Sequence, residues 1–179
     1  DDINEKVLSS TNILYLTGFL WDTESQKASV RHALELAENL PVKVALSLSD
    51  PFCVERHHQD FNELIRSRVD LLFCNQEEAF AMMETQVTQE ALAGLSENVE
   101  TVVMTLGNRG SLICNQGQIY YIDPIEVEVV DTTGAGDAYA AGFLYGFSHD
   151  QSIMNCGRIA SVMAGTVIEQ IGPRIETAS

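Results

Sequence analysis

Apolar runs of four or five residues recur along the chain, separated by longer stretches of helical period. Ile13-Leu14-Tyr15-Leu16 reads as a buried strand. Thr23-Glu24-Ser25-Gln26 fits a capping box and opens a helix to about Leu40. Val42, Val44, Leu46 and Leu48 alternate as a strand. Asp50-Pro51 suits an N-cap followed by proline at the first helical position, for a helix to about Arg68. Leu71-Leu72-Phe73-Cys74 is the next buried strand; Asn75 is expected to cap a short helix to about Met83, and Thr88 another to about Ser96.

Thr101–Thr105 is a further strand, after which the pattern changes. Leu112–Cys114, Gln118–Ile122 and Glu126–Val130 read as short strands split by Asn115-Gln116-Gly117 and Asp123-Pro124, as antiparallel hairpins are. Two helices close the pattern, about Ala135–Phe147 and Gln151–Gln170. Repeated β-α units predict a doubly wound, mostly parallel α/β sheet with helices on both faces, and the hairpins predict an antiparallel edge. No internal repeat or linker interrupts residues 1–179, so a single α/β domain is expected. Ligands of such sheets bind beyond the carboxyl ends of the strands, which directs the search for chemistry to the loops after Cys74, Thr105 and Val130.

Charge narrows the partners. The 179 residues carry a formal net charge of −16 and a pI near 4.4, which argues against nucleic acid, because phosphate backbones need a basic surface. An anionic nucleotide would have to be held locally, by backbone N–H groups, a helix N-terminus and a metal ion. No run of about 18 uncharged apolar residues is present, so no membrane span is expected. The start, Asp1-Asp2-Ile3-Asn4-Glu5-Lys6, lacks the basic and apolar regions of a signal peptide. Cys53, Cys74, Cys114 and Cys156 are widely spaced and read as core filler in a reduced, cytoplasmic protein. His32, His57, His58 and His149 show no metal-ligand spacing and read as solvated surface, while Trp21 suits either packing or an acceptor contact.

The sharpest feature is Val129-Val130-Asp131-Thr132-Thr133-Gly134-Ala135-Gly136-Asp137-Ala138, a strand, a turn of small residues and then a helix. Gly134 and Gly136 let backbone approach a ligand closely, and the N–H groups of a new helix carry partial positive charge. Together they suit an anion hole for a phosphoryl group in transfer. Asp137, in the first turn beside it, is positioned to take a proton from an attacking hydroxyl. A bare G-x-G-D would more simply be an acid neutralising a helix dipole; the whole string after an apolar run is far more specific.

That string closely resembles the signature of the ribokinase (PfkB) family of carbohydrate and nucleoside kinases. The resemblance implies a ribokinase-like fold, Asp137 as catalytic base, and the amides of Gly134, Ala135 and Gly136 as the anion hole. Asn75-Gln76-Glu77-Glu78 resembles the family's N-x-x-E motif, implying that Asn75 and Glu78 order Mg²⁺, partly through water, and the phosphates of ATP; taken alone it is simply a helix cap with acids beside it. Thr105-Leu106-Gly107-Asn108-Arg109-Gly110 resembles the loop along the ATP phosphates and ribose, which brings in Thr105, Gly107 and Gly110, though an ordinary glycine turn has the same composition. The stretch Cys156–Gly165 is rich in small residues, so Ala160 or Ala164 is expected beside the adenine, close helix packing being the equal alternative. Asp131, the Thr133 carbonyl and the turn near Gly172 match the site for a monovalent cation such as K⁺ in some members, although Ile171-Gly172-Pro173-Arg174 departs from the ribokinase pattern.

Tyr15–Phe19 and Leu46–Phe52 look more like adenosine-kinase segments than ribokinase or fructokinase ones. The resemblance therefore implies a nucleoside acceptor, with a free sugar as runner-up and a catalytically silent nucleotide-binding module as the alternative. It also implies that the chain corresponds to the carboxyl-terminal part of a longer kinase. The family's amino-terminal lid and acceptor-gripping Gly-Gly element are not matched. Apolar surface left for such a partner half would favour self-association as a homodimer.

Overall fold

The computed structural model describes residues 3–174. The chain divides into two compact units, Asp1–Val103 and Met104–Ser179. The first is built of β-α repeats: α1 (Glu5–Leu8), β1 (Ile13–Thr17), α2 (Glu24–Ala37), β2 (Lys43–Ser47), α3 (Pro51–Ser67), β3 (Leu71–Asn75), α4 (Gln76–Met83), α5 (Thr88–Ser96) and β4 (Thr101–Thr105), whose last two residues begin the second unit. β1 and β2 pair in parallel from Ile13 opposite Lys43 to Thr17 opposite Ser47, and β2 pairs with β3 from Ala45–Leu71 to Ser47–Phe73. The middle of β2 and the first four residues of β3 and of β4 are buried. Such continuous apolar runs suit parallel strands, whose crossovers cover the sheet.

Local chemistry sets most helix starts. Asp50 Oδ1 accepts from Cys53 N at 2.8 Å and Pro51 opens α3. Thr23 Oγ1 accepts from Gln26 N at 3.3 Å, but Gln26 Oε1 accepts from the Thr23 hydroxyl at 2.8 Å and does not engage its backbone, so the box is only half formed. At α5 the expectation of a Thr88 cap fails: Val87 is the N-cap and Thr88 lies inside the helix. Its hydroxyl accepts from Gln76 Nε2 at 2.5 Å, while Thr85 Oγ1 accepts from Val87 N at 3.2 Å and donates to Glu90 Oε2 at 2.7 Å. Thr85 thus supplies the local polar closure expected of Thr88.

The second unit holds a 3₁₀ turn (Gly107–Arg109), β5 (Ser111–Asn115), β6 (Gln118–Ile122), α6 (Ala135–Ser148) and α7 (Ile153–Ile168). β5 and β6 are antiparallel, Ser111 opposite Ile122 and Asn115 opposite Gln118. Gln116 and Gly117 join them with φ of 49° and 80°, the paired positive angles of a tight type I′ hairpin. The six strands follow one another in a single sheet in the order β1-β2-β3-β4-β5-β6, parallel strands with an antiparallel edge.

The strand expected at Glu126–Val130 does not form. Residues 123–130 join no ladder. Their alternation serves α7: a Cβ on Gly165 would stand 2.1 Å from Ile125 Cδ1 and 3.3 Å from Val127 Cγ1. The backbone finds a helix end as its partner, with Val130 N and Asp131 N both donating to Ile168 O, at 2.8 and 3.2 Å. α6 and α7 approach until their backbones nearly touch, since a Cβ on Gly142 would lie 2.8 Å from Ala160 Cα.

Candidate active site

The turn Asp131–Gly134 leads into α6 with no side-chain N-cap; Gly134 takes that position at φ 81°. A Cβ there would also meet Pro173 Cβ at 2.6 Å, so glycine is required twice over. Gly136 is different: a Cβ there would meet nothing within 4 Å, and its φ is ordinary. The fold itself gives no reason for glycine at 136, whereas a ligand approaching the helix start does. Asp137 is exposed in the first turn. Ala135 N donates to Thr132 O at 3.1 Å and Ala138 N to Gly134 O at 2.9 Å, which ties the turn to the helix.

Asp131 braces the turn from the other side. Its Oδ1 accepts from Thr133 N (2.9 Å) and Thr133 Oγ1 (2.7 Å), and its Oδ2 from Gly172 N (2.9 Å). The Thr133 hydroxyl, then the Thr133 and Gly172 amides, hold the Asp131 carboxyl below its ordinary range. The expected trio Asp131, Thr133 and Gly172 is thus brought together. A cation would fit here only by sharing a carboxylate already committed to three donors, with carbonyl oxygens such as that of Thr133 completing the shell.

Beside this turn lies a cavity of about 720 Å³, wholly within the second unit. Of the residues expected from sequence, Thr105, Gly107, Gly110, Ala135, Gly136 and Ala164 line it. Gly107 and Gly110 have φ of 61° and 80°, and the turn they frame closes with Leu106 N donating to Gly110 O at 2.8 Å. Ala160 does not reach the cavity: it is fully buried where α7 meets Gly142 of α6. The cavity face of α7 is Ser161, Ala164, Gly165 and Ile168, spaced i, i+3, i+4, i+7. Ala160 sits one residue off that stripe. Sequence reasoning also missed Ile125, Val127 and Tyr139, which line the cavity too; the helical spacing around Ala164 and the place of Tyr139 just after Asp137 were the available signals.

In the first unit, Asn75 caps α4 as expected, in a reciprocal capping box. Asn75 Oδ1 accepts from Glu78 N at 2.8 Å, Asn75 N donates to Glu78 Oε2 at 2.9 Å, and Asn75 Nδ2 donates to Glu78 Oε1 at 2.6 Å. Glu78 is buried rather than at the surface, and burial pushes its carboxyl up to about 7, opposed by the Asn75 N–H and assisted by Asp50 and Glu77. With both carboxylate oxygens engaged, this pair fits Mg²⁺ through intervening water better than by direct ligation.

Two histidines depart from the solvated reading. His58 Nε2 lies 2.9 Å from Met82 O, and His57, at a kink in α3 (φ −120°, ψ 22°), lies 3.2 Å from Asp22 Oδ1. Asp22, Cys53 and His57 bring potential metal ligands within 4.8 Å of one another. However, Arg56 already pairs with Asp22 at 2.9 Å, and burial pushes the Cys53 thiol up to about 11. This is an ion-paired corner. Trp21 is buried edge-on against Phe61, with centroids 5.2 Å apart, so the packing role holds. All four cysteines are free and buried, consistent with core filler. Among the described residues no helix is long and apolar enough to cross a membrane.

Known kinases share this fold. The adenosine kinase of Sinorhizobium meliloti superposes with a TM-score of 0.93 at 39% identity, over 97% of this chain and 54% of that one. A probable sugar kinase from Rhizobium etli CFN 42 gives 0.95 at 36% identity, over 98% and 54%. An uncharacterized sugar kinase of Archaeoglobus fulgidus is 27% identical over 174 residues, 97% of this chain and 68% of the relative. The chain therefore spans about half the length of the solved kinases it resembles. Residues 1–178 match the pfkB family of carbohydrate kinases, and the chain belongs to that family.

Proposed function

We propose that the chain carries the nucleotide-binding and catalytic part of an ATP-dependent phosphotransferase acting on an adenosine-like nucleoside. One conjunction within the second unit carries the reading: Asp137 is exposed in the first turn of α6, next to the sterically open Gly136 and a largely aliphatic cavity of about 720 Å³. Aliphatic walls suit a flat base, and the cavity volume suits a nucleotide-sized ligand. In this reading the base lies along the Ala164 stripe of α7. The phosphates follow the Thr105–Gly110 turn towards the amides of Gly134, Ala135 and Gly136.

Asp137 takes the proton of the acceptor's primary hydroxyl as that oxygen forms a bond to the γ-phosphorus. The bond from phosphorus to the bridging oxygen breaks, and ADP leaves with the electron pair. The α6 amides stabilise the charge that grows on the equatorial oxygens. Asn75 and Glu78 would hold Mg²⁺ through water, and Asp131 with the Thr133 carbonyl a monovalent cation such as K⁺. When bound, Mg²⁺ would supply neutralisation of phosphate charge. Net negative charge and free buried cysteines favour a cytoplasmic protein with small-molecule partners over one that binds nucleic acid. Exposed Phe19 and Phe52 favour self-association as a homodimer.

The 39% identity to an adenosine kinase supports the nucleoside reading, and the 36% identity to a probable sugar kinase supports a free sugar as second reading. The deciding experiment is ADP release from MgATP by the full-length protein, with adenosine, other ribonucleosides, ribose and fructose offered separately. A response to adenosine is expected; a response to a sugar alone would transfer the reading to the second. Asp137→Asn should lower turnover by about 10²–10⁴-fold with nucleotide binding retained. Unchanged turnover would remove the base role and favour a silent nucleotide-binding module.

A further inference from the structure

The start of α6 has little to hold it in place. Its N-cap is a glycine with no side-chain cap, and its first turn is Ala135, Gly136, Asp137 and Ala138. None of these offers a large side chain for packing, and glycine inside a helix weakens it relative to alanine. The anion hole and the base therefore stand on a helix start held by backbone bonds alone, with no large side chain of its own packed beneath it. Tyr139 is the first residue able to fix it.

The Tyr139 ring is 5% exposed, and its hydroxyl lies between two other elements. Tyr139 Oη and Ser111 Oγ of β5 are 2.6 Å apart. On its other side the phenol donates to the Gly157 carbonyl of α7 at 3.5 Å, with Ser161 of the same helix beside it at the cavity. Ser111 is fully buried and Ser161 is 8% exposed. Tyr139 and Ser161 both line the cavity, so this polar cluster also borders the space assigned to the nucleotide. Nothing in the packing of the ring requires the oxygen; a phenylalanine would fill the same volume. A buried hydroxyl held between Ser111 of β5 and the Gly157 carbonyl of α7 fixes the rotation and depth of α6 more sharply than ring packing alone, because hydrogen bonds are directional.

We propose that Tyr139 is a positioning residue, whose phenol, tied to Ser111 of β5 and the Gly157 carbonyl of α7, holds the first turn of α6 in register with the cavity, so that Asp137 and the Gly134–Gly136 amides meet the transferring group. The inference rests on the proposed phosphotransferase reading for its kinetic arm only. Asp131 braces the turn before the helix through Thr133 and Gly172, and Tyr139 braces the helix after it. Positioning of this kind acts on the chemical step and leaves nucleotide affinity nearly untouched, because a small misplacement of catalytic groups is costly in rate.

The test is Tyr139→Phe, which deletes one oxygen, with Ser111→Ala as a second variant that keeps the phenol and removes a partner. Amide hydrogen exchange reads the helix start without any activity. In Tyr139→Phe the amides of Ala135 and Ala138 should exchange at least threefold faster, while those around Phe143 stay as in wild type. In the full-length protein kcat should fall about tenfold, with KM for ATP and acceptor changed less than twofold, and Ser111→Ala should fall between. Unchanged exchange at Ala135 and Ala138 in both variants would overturn the proposal. So would equal acceleration along the whole of α6, which marks general destabilisation. If wild type turns over no acceptor while the exchange difference is present, the phosphotransferase reading fails and the anchoring role stands.

Discussion

Glycine stands at positions 134 and 136 for different reasons, and the difference can be measured. At 134 the backbone is left-handed and Pro173 fills the space a Cβ would need. Gly134→Ala should therefore cost about 1–3 kcal/mol of folding stability, read by urea unfolding. At 136 neither constraint applies. Gly136→Ala should leave stability unchanged or raise it by up to about 1 kcal/mol, alanine being the better helix former. Under the proposed function a methyl group there would nonetheless crowd the approaching phosphoryl group, so turnover in the full-length protein should fall at least tenfold, as loss of an electrostatic contact does. A Gly136→Ala variant with wild-type kcat would show that the phosphoryl group does not approach there.

At the scale of elements, α4 carries a titrating group at its buried end. Burial raises the Glu78 carboxyl from 4.5 to about 7. The folded chain therefore binds more protons than the unfolded chain between those values. The stability that the neutral carboxyl retains is fully present below about pH 4.5 and is lost as pH rises through 7. The span corresponds to a loss of about 3 kcal/mol by pH 8. Urea unfolding from pH 5 to 8 should show this decline in wild type and a flatter profile in Glu78→Gln. Parallel profiles would place the titration elsewhere. The sequence made Asn75 legible as a cap, because capping is local chemistry written in adjacent residues. It did not reveal that Glu78 is buried, because burial is decided by the strands and helices packed around it. The same division explains the other departures. Glu126–Val130 alternates as a strand does, yet its apolar side chains cover α7 and its amides close the end of that helix. Ala160 and Ala164 are equivalent by composition, and only the rotation of α7 separates the residue facing Gly142 from the one facing the cavity.

For the whole molecule, length sets the last expectation. The chain covers 54% of the solved kinases it matches at 39% and 36% identity. Its own elements supply a cavity, a helix start and an exposed carboxylate. Phosphoryl transfer also requires that the acceptor be held in line and that water be kept from the γ-phosphate. Among the described residues those groups lie on open turns, with Asp137 and Gly136 exposed. The 179 residues alone should therefore bind MgATP weakly and release ADP at less than a hundredth of the full-length rate, whichever acceptor is offered. The net charge of −16 adds a signature. Long-range repulsion of an anionic nucleotide is screened by salt, so raising ionic strength from about 0.01 to 0.15 M should speed nucleotide association. Stopped-flow binding of a fluorescent ATP analogue measures that rate, and coupled ADP release measures the turnover. Robust turnover by these residues alone would mean that the groups described here suffice to orient the acceptor and exclude water. Association slowed by salt would mean that local positive potential at the α6 amides outweighs the charge of the rest of the chain.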